Sequence, residues 1–231
     1  MNKCVWCKRE IITNFSISQL LTFTKIEPRV VCGTCALKFD TIKLDSCCPK
    51  CHRKQLDKSI CQDCMNWQKI YPDYPFSHYA LYSYDEFGKE WMERFKFTGD
   101  IRVAKMVADS LAKVISGYKA IDMIIPIPIS KKSFARRGFN QTEILLKTAG
   151  VSFIQVLENK SIESNQASKN RRERLETVQP FSIKKEMKPK LCNKNVMIID
   201  DVYTTGRTIL FAVECVLAAG ARNVKTLSLF R

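Results

Sequence analysis

No apolar run in this chain approaches the roughly 18 residues that a membrane-crossing helix needs, although 45% of its 231 residues are hydrophobic. The first ten residues, MNKCVWCKRE, lack the uninterrupted apolar stretch of a secretory signal. Membrane insertion is therefore not expected, and the cytoplasm is the expected compartment. Histidine is almost missing. His52 and His78 are the only two, which leaves imidazole chemistry few candidates. Cysteine is scarce in one region only. Of 11 cysteines, just Cys192 and Cys215 lie beyond residue 64. Without an export signal, the clustered pairs upstream argue for a metal rather than for disulfides.

Those pairs are four CxxC turns: Cys4/Cys7, Cys32/Cys35, Cys48/Cys51 and Cys61/Cys64. One CxxC turn aims two sulfurs at one ion, and two turns complete a tetrahedron, the geometry Zn²⁺ favours with thiolates. Two structural Zn²⁺ ions are expected. Sequential pairing is the simplest, because the third and fourth turns are separated by only nine residues; a cross-braced pairing has compatible spacing. A cysteine-ligated iron–sulfur cluster is the competing reading. Cys47 and His52 flank the third turn and read as bystanders. A redox CxxC is disfavoured, since no thioredoxin-like βαβ pattern surrounds any of the four.

The charge is lopsided. There are 38 Lys/Arg against 23 Asp/Glu, a formal +15. Two tetrathiolate zinc sites would cancel most of the excess in residues 1–75. The basic character then belongs to residues 76–231, with 26 Lys/Arg against 16 Asp/Glu. Such a surface suits anionic partners, nucleic acid or phosphorylated small molecules.

Two regions are expected: a zinc-binding module over residues 1–70 and an α/β domain over 71–231. The aromatic connector NWQKIYPDYPFSHY reads as packing between them. Strands are expected at Ala80–Tyr84, Ile121–Ile125, Phe181–Ile183, Val196–Ile199 and Val224–Phe230. Helical patterns occupy Glu90–Ile115, broken at Gly99, then Thr142–Ala149 and Ile209–Ala219, the last ended by Gly220. A basic loop with Lys131, Lys132, Arg136 and Arg137 follows the strand that Pro126 and Pro128 stop. Open α/β sheets place anionic ligands at such strand ends. Residues 159–180 are polar, and their length suggests a lid. There Lys169, Arg171, Arg172 and Arg174 could clamp a pyrophosphate.

The chain is organised around VMIIDDVYTTGRT, Val196 to Thr208. Four apolar residues read as a buried parallel strand. Asp200 and Asp201 follow, then a polar loop, then a helix. A helix start rich in N–H groups and hydroxyls holds phosphate, and two carboxylates hold sugar hydroxyls or hydrated Mg²⁺. This stretch resembles the phosphoribosyl pyrophosphate (PRPP) signature of type I phosphoribosyltransferases. The resemblance implies that Asp200 and Asp201 face the ribose 2′ and 3′ hydroxyls and are the catalytic acids. It also implies that Val202, Tyr203, Thr204, Thr205, Gly206, Arg207 and Thr208 complete the PRPP-binding loop.

The order of motifs along the chain resembles the ComF family, ComFC and the GntX-like proteins. It runs from the paired CxxC turns through FKFTGD (Phe95–Asp100), PIP and ARRGFNQ (Ala135–Gln141) to IIDDVYTTGRT. The resemblance implies a type I phosphoribosyltransferase-like α/β domain with a mostly parallel sheet, preceded by a zinc-ribbon-like module. It places the pyrophosphate loop at Ser130, Lys131 and Lys132, and the flexible loop at Gln166 and Arg174. Where that family shows Leu and Asn after those two, this chain has Lys169 and Thr177. Lys96, with Lys131, Lys132, Arg136 and Arg137, becomes a nucleic-acid contact candidate. The family association implies a role in DNA uptake during natural transformation, with PRPP–Mg²⁺, single-stranded DNA and a helicase-like competence ATPase (ComFA-like) as partners. Transfer of phosphoribosyl from PRPP to a nucleobase is the alternative.

Overall fold

A computed structural model describes residues 3–11, 29–72, 77–161 and 179–231. At its centre lies a four-stranded, wholly parallel sheet ordered β1-β6-β5-β2. Its strands are β1 (His78–Tyr82), β2 (Met123–Pro126), β5 (Asn195–Val202) and β6 (Asn223–Phe230). A small antiparallel pair, β3 (Leu157–Asn159) and β4 (Phe181–Ile183), stands apart. Val196–Ile199 align with Met123–Pro126 on one side and with Val224–Leu227 on the other. A strand paired on both sides and covered on both faces must be apolar throughout, which explains the unbroken run before Asp200.

Period-two alternation sends β5 into two cores. Met197 and Ile199 join Trp91, Phe95, Leu111 and Phe230 on one face. Val196 and Ile198 join Ile125, Leu191, Ile209 and Val213 on the other. The first face is covered by α3 (Glu86–Lys96), α4 (Ala108–Ser116) and α6 (Gln141–Thr148), which follow α1 (Gly33–Ala36) and α2 (Gln62–Ile70) in the chain. Between α4 and α6 lies α5 (Lys131–Arg137); α7 (Lys188–Leu191) and α8 (Arg207–Ala218) come later, and α8 covers the second face.

The periodic stretch after Glu90 is three pieces, α3, a 3₁₀ turn over Ile101–Met106, and α4. Gly99, at φ +69°, takes the left-handed turn that separates them. The basic segment expected as a loop is the helix α5. The Ser130 hydroxyl accepts the Ser133 N–H at its start, and Gly138, at φ +78°, closes it. Asn140 then caps α6.

The cysteine-rich segment is built from one local structure used twice. In each copy a CxxC turn is closed by backbone bonds: Cys4 N–H to Arg9 O and Lys8 N–H to Cys4 O, matched by Cys48 N–H to Arg53 O and His52 N–H to Cys48 O. Lys8 (φ +64°) and His52 (φ +57°) take the same left-handed step after the second cysteine. The partner pair starts a helix in each copy, Cys32 before α1 and Cys61 before α2. The two copies sit on different faces of the sheet. Cys4 and Cys35 belong to the core with Trp91 and Phe230, and Cys48, Cys51, Cys61 and Cys64 to the core with Ile209. Between them, residues 40–42 run antiparallel along the outer edge of β1, bonded from Ile42 N–H to Leu81 O and from Ser83 N–H to Asp40 O.

Candidate functional site

Each set of four cysteines, Cys4/Cys7/Cys32/Cys35 and Cys48/Cys51/Cys61/Cys64, has all its sulfurs within 4.8 Å of one another. Pairing is sequential, as expected. Zn–S bonds of about 2.3 Å in a tetrahedron imply S···S distances of about 3.8 Å. Cys7–Cys32 and Cys51–Cys61 stand at 3.7 and 3.6 Å. Backbone N–H groups of Cys32 and Cys61 reach the sulfurs of Cys4 and Cys48 at 3.4 Å, a donor pattern that favours the thiolate. The donor sets therefore fit structural Zn²⁺ with full thiolate ligation. Cys47 and His52 stand outside both clusters, and the His52 ring packs on Tyr79.

At the end of β5, Asp200 and Asp201 leave the sheet on opposite faces. Asp201 shares its face with Met197 and Ile199, the side that α3 covers. There the Lys96 ammonium reaches both carboxylate oxygens at 3.0 Å. Lys96, a candidate contact for nucleic acid, thus stands half-buried as a partner of the acidic pair. Burial, and then the charge of Asp201, push the Asp200 carboxyl up to about 7. The two neighbours thus differ: Asp201 is bonded to the Lys96 ammonium, while burial and the adjacent charge raise the Asp200 carboxyl.

The remaining residues of FKFTGD build what Lys96 stands on. Phe95 is fully buried. Asp100 accepts from Arg94 and Arg102, and Arg102 with Arg94 holds its carboxyl down at about 2. Arg94 also donates to the carbonyls of Val5 and Trp6, tying the first metal knuckle to α3.

Residues 203–206 turn the chain from β5 into α8. Gly206 sits at φ +84°, and a Cβ there would overlap the Tyr203 hydroxyl. Tyr203 is buried, stacked on His78 at 4.4 Å with the Arg231 guanidinium at 4.6 Å. Thr204, Thr205 and Thr208 are exposed, and Arg207 lies over Phe211. Exposed hydroxyls at the start of a 12-residue helix make a ready anion site.

His78, remote in sequence from this loop, lies directly against it. Its ring nitrogens bond to Thr226 and Ser228 at 3.0 and 2.9 Å, and burial holds its pKa well below the usual range. It serves as a neutral wedge rather than a base. Parallel pairing of β1 with β6 brings it there, which no short-range pattern reveals. Trp67, read as packing, donates its indole N–H to Thr205 O at 2.7 Å.

Lys131 and Lys132 are exposed at the start of α5, while Ser130 is buried as its cap. The two lysines line a groove of about 1150 Å³ together with Phe134, Phe139, Lys147, Lys160 and Lys184. Asp200, Asp201 and the 204–208 loop are not among its walls. Arg136 is exposed and Arg137 stacks on Phe97. The flexible-loop candidates Gln166, Lys169, Arg171, Arg172 and Arg174 lie outside the described residues.

Residues 102–231 match the model of the phosphoribosyl transferase domain family. Over 99% of its length the chain is 36% identical to the whole of the competence protein ComFC of Streptococcus pneumoniae. The chain belongs to the ComFC family. A second ComFC, from Bacillus subtilis, is 31% identical over 87% of this chain and 84% of that protein. The DNA utilization protein YhgH of Salmonella typhimurium is 22% identical over 87% and 90%. Among solved structures, the adenine phosphoribosyltransferase of Leishmania tarentolae matches 59% of this chain and 74% of its own at 16% identity and a TM-score of 0.36. The chain is thus a ComFC-type protein with a phosphoribosyltransferase-like α/β fold and two four-cysteine clusters. No helix among its described residues is long and apolar enough to cross a membrane.

Proposed function

We propose that this protein is a cytoplasmic DNA-uptake factor that binds Mg²⁺–PRPP and single-stranded DNA and works with a ComFA-like helicase ATPase. The cysteine-rich part is residues 1–70 and the transferase-like part 71–231, packed together through both hydrophobic cores. One observation carries the PRPP reading. Asp200 and Asp201, braced by Lys96, stand next to a left-handed turn at Gly206 that opens a helix bearing exposed hydroxyls. Sugar hydroxyls or hydrated Mg²⁺ suit the acids, and a 5-phosphate suits the loop. Calorimetric titration of Mg²⁺–PRPP into the zinc-loaded protein is expected to show binding that D200N/D201N abolishes. Absence of binding to folded wild type would overturn the reading.

The groove beside α5 supports a DNA role, with five lysines and two phenylalanines on its walls. Aromatic faces stack bases and lysines track the backbone. Single-stranded DNA affinity should fall steeply with salt, and K131E/K132E should flatten that slope. No binding at low salt would remove the DNA role.

A second reading, turnover of PRPP, is favoured by two adjacent carboxyls at the strand end, with Lys96 bonded to Asp201 and the Asp200 carboxyl raised by burial beside it, because a raised acid can exchange a proton with an acceptor. Pyrophosphate release with a panel of nucleobases tests it; release no faster than in D200N/D201N rejects it.

A further inference from the structure

We infer that the second four-cysteine cluster is the mould of the phosphate loop: metal at Cys48, Cys51, Cys61 and Cys64 sets the backbone of residues 203–206 through Arg231 and Trp67. Two connectors cross from the cluster to the loop. Arg231 donates to Cys51 Sγ at 3.4 Å and, with its other nitrogen, to Thr204 O at 2.9 Å. Its guanidinium also covers the Tyr203 ring. Trp67 stands on α2, the helix that Cys61 starts and that carries Cys64, and its indole N–H holds Thr205 O at 2.7 Å.

The two bonds orient the loop by simple geometry. In a trans peptide the carbonyl and the following N–H point in opposite directions, and no peptide described is cis. Tying the carbonyls of Thr204 and Thr205 toward the cluster therefore aims the N–H groups of Thr205 and Gly206 away from it, outward. Adjacent N–H groups aimed one way are what an anion needs.

Charge works in the same direction. A zinc tetrathiolate carries −2, and the Arg231 side chain is 5% exposed beside it, with Asp63 at 3.7 Å. Metal loss frees the Cys51 sulfur that the guanidinium bonds, and the side chain that holds Thr204 loses its fixed anchor. The first cluster has no such link among the described bonds; its tie runs through Arg94 to α3.

The functional meaning of this coupling rests on the phosphate reading of the loop, but its test does not. Amide hydrogen exchange is measured on the zinc-loaded, ligand-free full chain, wild type beside W67F and R231M, with zinc content assayed in each. Exchange at the two bonded amides that bracket the loop, Tyr203 (to Phe230 O) and Leu210 (to Gly206 O), is expected to accelerate about tenfold in either variant, while α4 amides stay unchanged and both zinc ions remain. Wild-type exchange rates at the loop in both zinc-replete variants would overturn the inference. Graded chelation of wild type gives a second measure: loop protection should fall as zinc leaves while α4 stays protected. Protection that persists after both ions have left would also overturn it. A wild type that binds no PRPP, yet shows this coupling, would reject the proposed ligand and leave the mould standing.

Discussion

Asp200 and Asp201 are adjacent, so one strand gives them to opposite faces and to different surroundings. Lys96 serves Asp201, and Asp200 is left to burial. An acid whose folded pKa is raised destabilises the fold as pH climbs from its unfolded value, near 4, to its folded one, about 7. Asp200 keeps some solvent contact, so the cost is roughly 1–3 kcal/mol rather than the full shift. D200N is therefore expected to raise the melting temperature at pH 8, with a smaller gain at pH 5, while abolishing PRPP binding. Equal gains at both pH values would rule out the raised carboxyl. Gly206→Ala should cost about 2–4 kcal/mol, since it adds left-handed strain and displaces Tyr203; urea melts would read this loss. Asp200, Asp201 and the loop were legible because their chemistry lies in one continuous stretch. The pairing of Lys96 with Asp201 and the approach of His78 and Arg231 were not, because strand pairing and helix packing bring them from 27 to over 100 residues away.

Among elements, α3 has the most varied duties. It fills a core with Trp91 and Phe95, presents Lys96 to Asp201 and grips the first knuckle through Arg94. R94M would strip the carbonyls of Val5 and Trp6 and one partner of Asp100, costing about 2–4 kcal/mol. The expected readout is easier zinc loss from the first cluster than from the second, measured by the two-step release of metal to a chromophoric chelator. Most strands and helices were readable from apolar period and caps. The helix α5 was not: its Lys-Lys-Ser-Phe-Ala-Arg-Arg stretch has no apolar face, and only the Ser130 cap and Gly138 mark it. Helix α2 was hidden in the same way, because metal ligation rather than an apolar stripe secures it.

At the scale of the whole molecule, the cysteine-rich segment is part of the core. Cysteines from both clusters pack with sheet residues, and residues 40–42 cover the edge of β1. A chain starting at residue 71 would expose that edge and both buried surfaces. It is expected to elute as aggregates and to bind a hydrophobic dye, whereas the full zinc-loaded chain does neither. A monodisperse, cooperatively melting fragment would contradict this. Sequence spacing could separate the metal ligands from the transferase-like motifs, but not show that they share two cores.

The placement of β1 also carries a consequence for the protein as it emerges from the ribosome. Its partner inside the sheet, β6, is translated about 140 residues later, so for most of synthesis that side of β1 has nothing to pair with. Its other side is different. Residues 40–42 and the first metal knuckle are made before β1 and stand ready as it appears. A nascent chain that takes up zinc early would thus carry a half-guarded strand through the interval in which open strands find wrong neighbours. Metal supply during translation, and not only afterwards, should decide how much of this protein reaches its native state.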